Sequence, residues 1–177
     1  MPNETNPRRL LYWDSCVFIS YFSRQSDRIA TLEQILEEVA TNDQSTIFTS
    51  TETITEVAYV EIERRQRRID PVVESMFDQM WNDTSIVQMI EFNPFLARSA
   101  RDLIRNSIIT PGRTLKPKDA IHLATAQWIN NSVTPINAFN TYDQQLLGYT
   151  KPAGLVVCEP NVIQPRLPYP GPQPTRG

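Results

Sequence analysis

The chain has 177 residues, enough for one domain with a sizeable core. Its 17 Lys and Arg against 20 Asp and Glu leave a net charge of −3, which excludes a generic, strongly basic nucleic-acid coat. No apolar run approaches the roughly 20 residues that cross a bilayer, Met1–Arg9 carries no signal-peptide pattern, and the scattered glycines make no phosphate-binding loop.

Residues 1–8 read as a disordered start. The run Arg9-Leu10-Leu11-Tyr12-Trp13-Asp14-Ser15-Cys16-Val17-Phe18-Ile19 is almost unbroken in its apolarity and reads as a buried strand covered on both faces. An unpaired carboxylate buried inside such a strand costs several kcal/mol, roughly, so Asp14 belongs at its end, facing a partner. The strand begins near Leu10 and ends between Asp14 and Ile19, and a functional Asp14 needs the earlier end. Ile29, Leu32, Ile35, Leu36 and Val39 recur at helical spacing and predict a helix over about 28–40. Thr46–Ser50 is a short strand. From Thr53 a single helix is expected to about Arg68, with Ile54, Val57, Ala58 and Ile62 inward and a basic end. Pro71 opens a further helix carrying Val72, Val73, Met76, Met80 and Trp81. Ile86–Phe92 is a third strand.

Asn93 caps the next helix, with Pro94 at its first position and a buried stripe of Leu96, Ala100, Leu103, Ile104 and Ile108. Pro111-Gly112-Arg113 stops it. A helix follows from Pro117 through Trp128, then a strand over Ile136–Asn140, a short helix over Asp143–Leu147 ended by Gly148, and a last strand over Leu155–Cys158. From Pro160 the chain is rich in proline and is expected to be extended. This division places a single domain over 9–159 and a tail over 160–177. Strands alternating with helices predict an α/β fold with a central parallel sheet of about five strands.

The single histidine, His122, excludes a two-histidine ribonuclease and a standard Cys/His zinc site. It lies one turn after Asp119 on much the same face, from which it could hydrogen-bond near a site, and reads first as a buried, satisfied structural residue. Cys16 and Cys158, both in apolar strand-like runs, read as buried reduced thiols, which places the protein in the cytoplasm. Trp13, Trp81 and Trp128 read as core or interface residues.

Four carboxylates fall where elements meet at the carboxyl edge of the expected sheet, where open α/β sheets bind ligands. These are Asp14, Glu56, Asp119 and Asp143. Clustered carboxylates repel one another and call for a cation; hard ions such as Mg²⁺ or Mn²⁺ take oxygen ligands and suit phosphodiester hydrolysis. Each of the last three also has a purely structural explanation. Thr53-x-x-Glu56 is a capping box, Asp119 favours the positive end of its helix, and Asp143 suits the cap of the helix after it.

These residues carry a resemblance. Strand-Asp14-Ser15, a Glu early in a later helix, Lys116-Pro117-Lys118-Asp119-Ala120-Ile121-His122-Leu123-Ala124-Thr125-Ala126, and Thr141-Tyr142-Asp143 after a strand together resemble a PIN-domain ribonuclease. The similarity spans about Leu10 to Cys158. It implies three or four acids binding Mg²⁺ or Mn²⁺, with Asp14 and Asp119 holding metal most directly and Glu56 and Asp143 directly or through water. Glu52, four residues before Glu56 on the same helix face, competes with it as ligand, and Glu56, just before Val57-Ala58, is favoured. Ser15 and Thr141 match supporting hydroxyl positions. The resemblance further implies an endoribonuclease leaving 5′-phosphate and 3′-hydroxyl ends. Many bacterial members are VapC-like toxins that dimerise and are silenced by an antitoxin protein. Arg64, Arg65, Arg67, Arg68, Lys116 and Lys118 are candidate guides for an RNA backbone, although arginines at a helix C-terminus also offset its dipole. The alternative is a catalytically inactive module of the same fold that binds RNA or protein.

Overall fold

A computed structural model describes residues 9–41, 45–109 and 114–162. The expected disordered start, the Pro111-Gly112-Arg113 stop and the tail beyond Val162 lie outside those residues. Five strands form one parallel sheet in the order β3-β2-β1-β4-β5: β1 (Leu10–Trp13), β2 (Thr46–Ser50), β3 (Val87–Ile90), β4 (Ala138–Asn140) and β5 (Val157–Cys158). The chain builds outward from β1 through β2 to β3, then crosses back to pair β4 with the other side of β1. The order therefore reverses at β1, where α/β sheets open a crevice beyond the strand ends.

Alternation along β1 sorts its side chains between two cores. Leu10 and Tyr12 face one side, packing with Phe48, Phe139, Leu123 and Ala124 under α6 (Pro94–Ile109) and α7 (Pro117–Trp128). Leu11 and Trp13 face the other, packing with Val17, Phe18, Leu32 and Ile35 from α1 (Ser15–Phe22) and α2 (Ile29–Thr41). Tyr12 is thereby aimed at α7 and Trp13 at α1.

The first strand takes the earlier of its two expected ends, and the rest of the apolar run, from Ser15, is helical. Pairing with β4 ends when the Asp14 N–H donates to Asn140 O at 3.0 Å, and the Asp14 carboxylate then accepts from the Ser15 N–H at 2.7 Å to cap α1. Cys16 is accordingly helical.

The helix expected from Thr53 to Arg68 is two: α3 (Glu52–Glu56) and α4 (Glu61–Gln66). No proline or glycine breaks it. Val57 and Val60 turn inward between the pieces, while Ile54 and Ile62 are exposed. The buried Glu63 carboxylate holds the break, accepting from the backbone N–H groups of Val60 (2.9 Å) and Asp70 (2.8 Å). Glu63→Ala leaves both donors unsatisfied and is expected to cost about 1–3 kcal/mol in urea unfolding. A cost below 0.5 kcal/mol, roughly, would mean water replaces the carboxylate there.

Further along, α5 (Pro71–Asn82) starts at Pro71 with Asp70 as cap; Phe77, not the exposed Val72, joins its packed face. Asn93 Oδ1 caps α6 by accepting from Phe95 and Leu96 N–H groups. The stripe of α6 ends sooner than the spacing predicts: Ile108 is exposed and Ser107 is buried, its hydroxyl donating to Ile104 O and accepting from Leu115 N–H. After α7 the chain makes a π-helical turn, Ile129–Val133, and two short helices, α8 (Gln144–Leu147) and α9 (Thr150–Ala153), flank the turn into β5. Arg9 ties the chain's last described residues to the fold, donating to Asn161 O and Val162 O and pairing with Glu38.

Candidate active site at the carboxyl edge of the sheet

Asp14 stands at the tip of β1 and is 6% exposed. Its Oδ2 accepts from Thr141 Oγ1, just past β4, at 2.8 Å. Glu56, at the end of α3, reaches the same place: Ser15 Oγ donates to Glu56 Oε2 at 2.5 Å and lies 3.4 Å from Asp14 Oδ1. The Thr53-x-x-Glu56 capping box does not form. Thr51 occupies the N-cap of α3 without capping it, its hydroxyl accepting from the Phe92 N–H, and the Thr53 hydroxyl pairs with Thr49 Oγ1. Freed from capping, Glu56 is available to the site. Burial alone would raise its carboxyl, but His122, Ser15 and Lys118 together hold it below the usual carboxylate range. Its Oε1 is buried and accepts no hydrogen bond, with Lys118 Nζ 3.7 Å away.

His122 is buried, as expected, but only one of its two ring nitrogens is satisfied. His122 is 1% exposed, and its Nε2 has no hydrogen-bond partner while standing 3.6 Å from both Asp14 Oδ1 and Glu56 Oε2. Its other nitrogen, Nδ1, is 2.8 Å from the Tyr12 hydroxyl. Burial pulls the imidazole down, but Glu56, Asp14 and Asp119 outweigh it and hold its pKa above the ordinary histidine value. Burial, with the Asp14 charge, pushes the Tyr12 hydroxyl well above the phenol range.

Asp119 lies in the first turn of α7, one turn before His122, and its charge acts on that ring. Asp143 performs the capping role that its position allows, accepting from Gln145 N–H at 2.7 Å at the start of α8. Its backbone N–H donates to Thr141 Oγ1 at 3.0 Å, which connects it to Asp14 through that hydroxyl. Of the basic residues, Arg64 and Arg65 are both paired with Glu61 at 2.9 Å. Arg67 takes a left-handed backbone at the end of α4, and Arg68, Lys116 and Lys118 are exposed.

Cys16 also enters the site unannounced. Its Sγ lies 3.2 Å from Asp14 Oδ2 and accepts from the Tyr142 N–H. Burial and the Asp14 charge push the thiol up to about 12. A thiol in that state carries almost no thiolate at pH 8, so alkylation of Cys16 by iodoacetamide should be much slower than that of a free cysteine. Labelling at the free-cysteine rate in the folded protein would contradict this environment. Cys16 and Cys158 are free thiols.

Among the described residues, no group of three or more His, Cys, Asp and Glu side chains forms a ready-made cage for a metal ion. The donor set nevertheless fits a hard divalent cation. It offers carboxylate oxygens braced by hydroxyls, one of them a buried oxygen that accepts no hydrogen bond. Mg²⁺ in particular keeps several waters and is commonly held by one or two carboxylates rather than by a protein cage.

The family follows from the chain as a whole. The PIN domain model matches residues 11–147, and the chain belongs to the PIN domain family. PIN domains are generally nucleases that use divalent metals. No curated protein matches the chain. A chain in the crystal structure of VapBC2 from Rickettsia felis, bound to a DNA fragment from their promoter, shares the fold: TM-score 0.58 at 14% identity, over 84% of this chain and 96% of that one. Among the described residues, no helix is long and apolar enough to cross a membrane.

Proposed function

We propose that the protein is a divalent-metal-dependent endoribonuclease and the toxin of a toxin–antitoxin pair. The observation that carries the reading is the convergence of Asp14 and Glu56 on Ser15 Oγ at the carboxyl edge of the sheet. Like charges brought together in a crevice, within a family of nucleases, are the ordinary makings of a cation site. Asp14 and Glu56 hold the Mg²⁺ or Mn²⁺, with Asp119 alongside and Asp143 acting through water. A cation bound there supplies an activated water and neutralises charge building on the phosphate. Ser15 and Thr141 keep the carboxylates oriented. Glu56 rather than Glu52 is the ligand, because it is Glu56 that meets Ser15.

The exposed Lys118, beside Glu56, meets a backbone phosphate. Lys116, Arg67 and Arg68 extend that path, and Arg64 and Arg65 join it at the cost of their pairing with Glu61. The products carry 5′-phosphate and 3′-hydroxyl ends. An antitoxin protein is the regulatory partner, supported by the VapBC2 likeness, and the chain works as a homodimer in the cytoplasm.

Incubating the full chain with a mixed RNA pool and with single-stranded DNA, in Mn²⁺ and in EDTA, tests the reading. RNA cleavage in Mn²⁺ alone is expected. Cleavage of DNA but not RNA would reassign the substrate, and cleavage undiminished by EDTA would refute the metal. No cleavage together with no Mn²⁺ binding would leave an inactive module of this fold.

A further inference from the structure

We propose that His122 is a positioning residue for the Asp14–Glu56 pair: an N–H on Nε2, backed by Tyr12, sets how far apart and at what angle the two carboxylates stand. A consequence, resting on the cation reading above, is that His122 tunes how tightly the pair takes a divalent ion. A histidine kept for packing would have both nitrogens satisfied, since an unpartnered buried donor is costly. Here one nitrogen is bonded to Tyr12 and the other is aimed, unbonded, midway between two carboxylate oxygens at 3.6 Å each.

Chemistry fixes the hydrogen on Nε2. A bare lone pair there would face two anionic oxygens. A neutral ring that accepts the Tyr12 hydroxyl at Nδ1 carries its hydrogen on Nε2. An imidazolium donating to Tyr12 carries one there as well. The two carboxylates thus set the hydrogen on Nε2, and the Tyr12 hydroxyl serves Nδ1 as donor or acceptor in either charge state.

Ser15 Oγ brackets the same two oxygens, 2.5 Å from Glu56 Oε2 and 3.4 Å from Asp14 Oδ1. Two donors on two helices therefore turn Asp14 Oδ1 and Glu56 Oε2 toward the protein. Glu56 Oε1, buried beside Lys118 and accepting no hydrogen bond, is left for a cation. Without His122 only the Ser15 hydroxyl links the two carboxylates, and Glu56 is freer to turn away while Asp14 stays held by the Ser15 N–H and Thr141.

As the only histidine of the chain, His122 has a ring whose ¹H–¹⁵N signals need no assignment. The test combines these spectra, recorded without metal on the full chain and its Glu56→Gln and Tyr12→Phe variants, with Mn²⁺ calorimetry on His122→Ala and His122→Gln. The proposal expects an Nε2-bound hydrogen whose signal moves in both Glu56→Gln and Tyr12→Phe. It also expects Mn²⁺ to bind about 10-fold more weakly to His122→Ala, as for a lost outer-shell donor. His122→Gln, which keeps an N–H, should recover most of that loss. Ring signals unmoved by Glu56→Gln would overturn the proposal. So would a His122→Ala variant that binds Mn²⁺ like the wild type, or a folded His122→Gln variant as weak as His122→Ala. A wild type that binds no Mn²⁺ would overturn the cation reading alone, and the metal-free spectra would then decide the positioning role.

Discussion

Asp14→Asn lowers Mn²⁺-dependent RNA cleavage by about 1,000-fold or more while leaving the protein folded. Removing a cation that neutralises transition-state charge forfeits several kcal/mol, and each 1.36 kcal/mol is about tenfold in rate. The substitution separates chemistry from architecture. Asn is as good an N-cap as Asp, so α1 keeps its start at Ser15. The amide oxygen keeps the Ser15 N–H bond, and the amide NH2, in place of Oδ2, donates to Thr141 Oγ1, whose hydroxyl turns to Cys16 Sγ 3.3 Å away. Cleavage rates measured alongside a thermal melt check both halves. A variant that melts like the wild type and cuts at the same rate would remove Asp14 from the chemistry.

The largest expected loss of stability comes from Trp13→Ala. Trp13 is fully buried in the middle of the sheet, 5.3 Å ring to ring from Phe18, and its indole packs among Leu32, Ile35 and Val17. Truncating such a side chain costs about 3–5 kcal/mol, out of a total stability of roughly 5–15 kcal/mol. One compensation is built in. The Trp13 Nε1 is buried without a hydrogen-bond partner, so its removal relieves one unsatisfied donor and places the result toward the lower end of that range. Urea unfolding should show a clearly lower midpoint at unchanged slope. A loss under about 1 kcal/mol would mean that α1 collapses into the space.

Where local chemistry decides an element, its place was readable along the chain. Asn93-Pro94 starts α6, Asp70-Pro71 starts α5 and Pro117 starts α7, each at the residue expected. The parallel sheet follows from alternation of strands and helices. The errors arise where tertiary packing overrides a local pattern. Cys16–Phe22 is as apolar as a strand, yet Asp14 caps it into a helix once β1 has run out of partners. The 53–68 stretch has unbroken helical spacing, and the break is held by Glu63 accepting from Asp70, a contact invisible to periodicity.

The candidate site divides in the same way. Asp14 announced itself as a charge inside an apolar run. Glu56, favoured over Glu52 from its place before Val57-Ala58, meets Ser15, a residue 41 positions away that the sequence does not bring to it. The burial of His122 is legible, but its unsatisfied Nε2 is not, because its neighbours are Tyr12, 110 residues earlier in the chain, and two carboxylates that only the fold brings to it. The available signal was its position one turn after Asp119, on the same side of α7.

Thermal melting of the wild type and Glu56→Gln, each with and without Mn²⁺ and without any substrate, tests most directly whether the Asp14–Glu56 pair is a divalent-cation site. A ligand held only by the folded state at 100 times its Kd adds about 2.7 kcal/mol, or roughly 5–10 °C in Tm for a chain of this size. The account predicts a rise of that order in the wild type and its near-complete loss in Glu56→Gln. An equal rise in both, or none in the wild type, would contradict it.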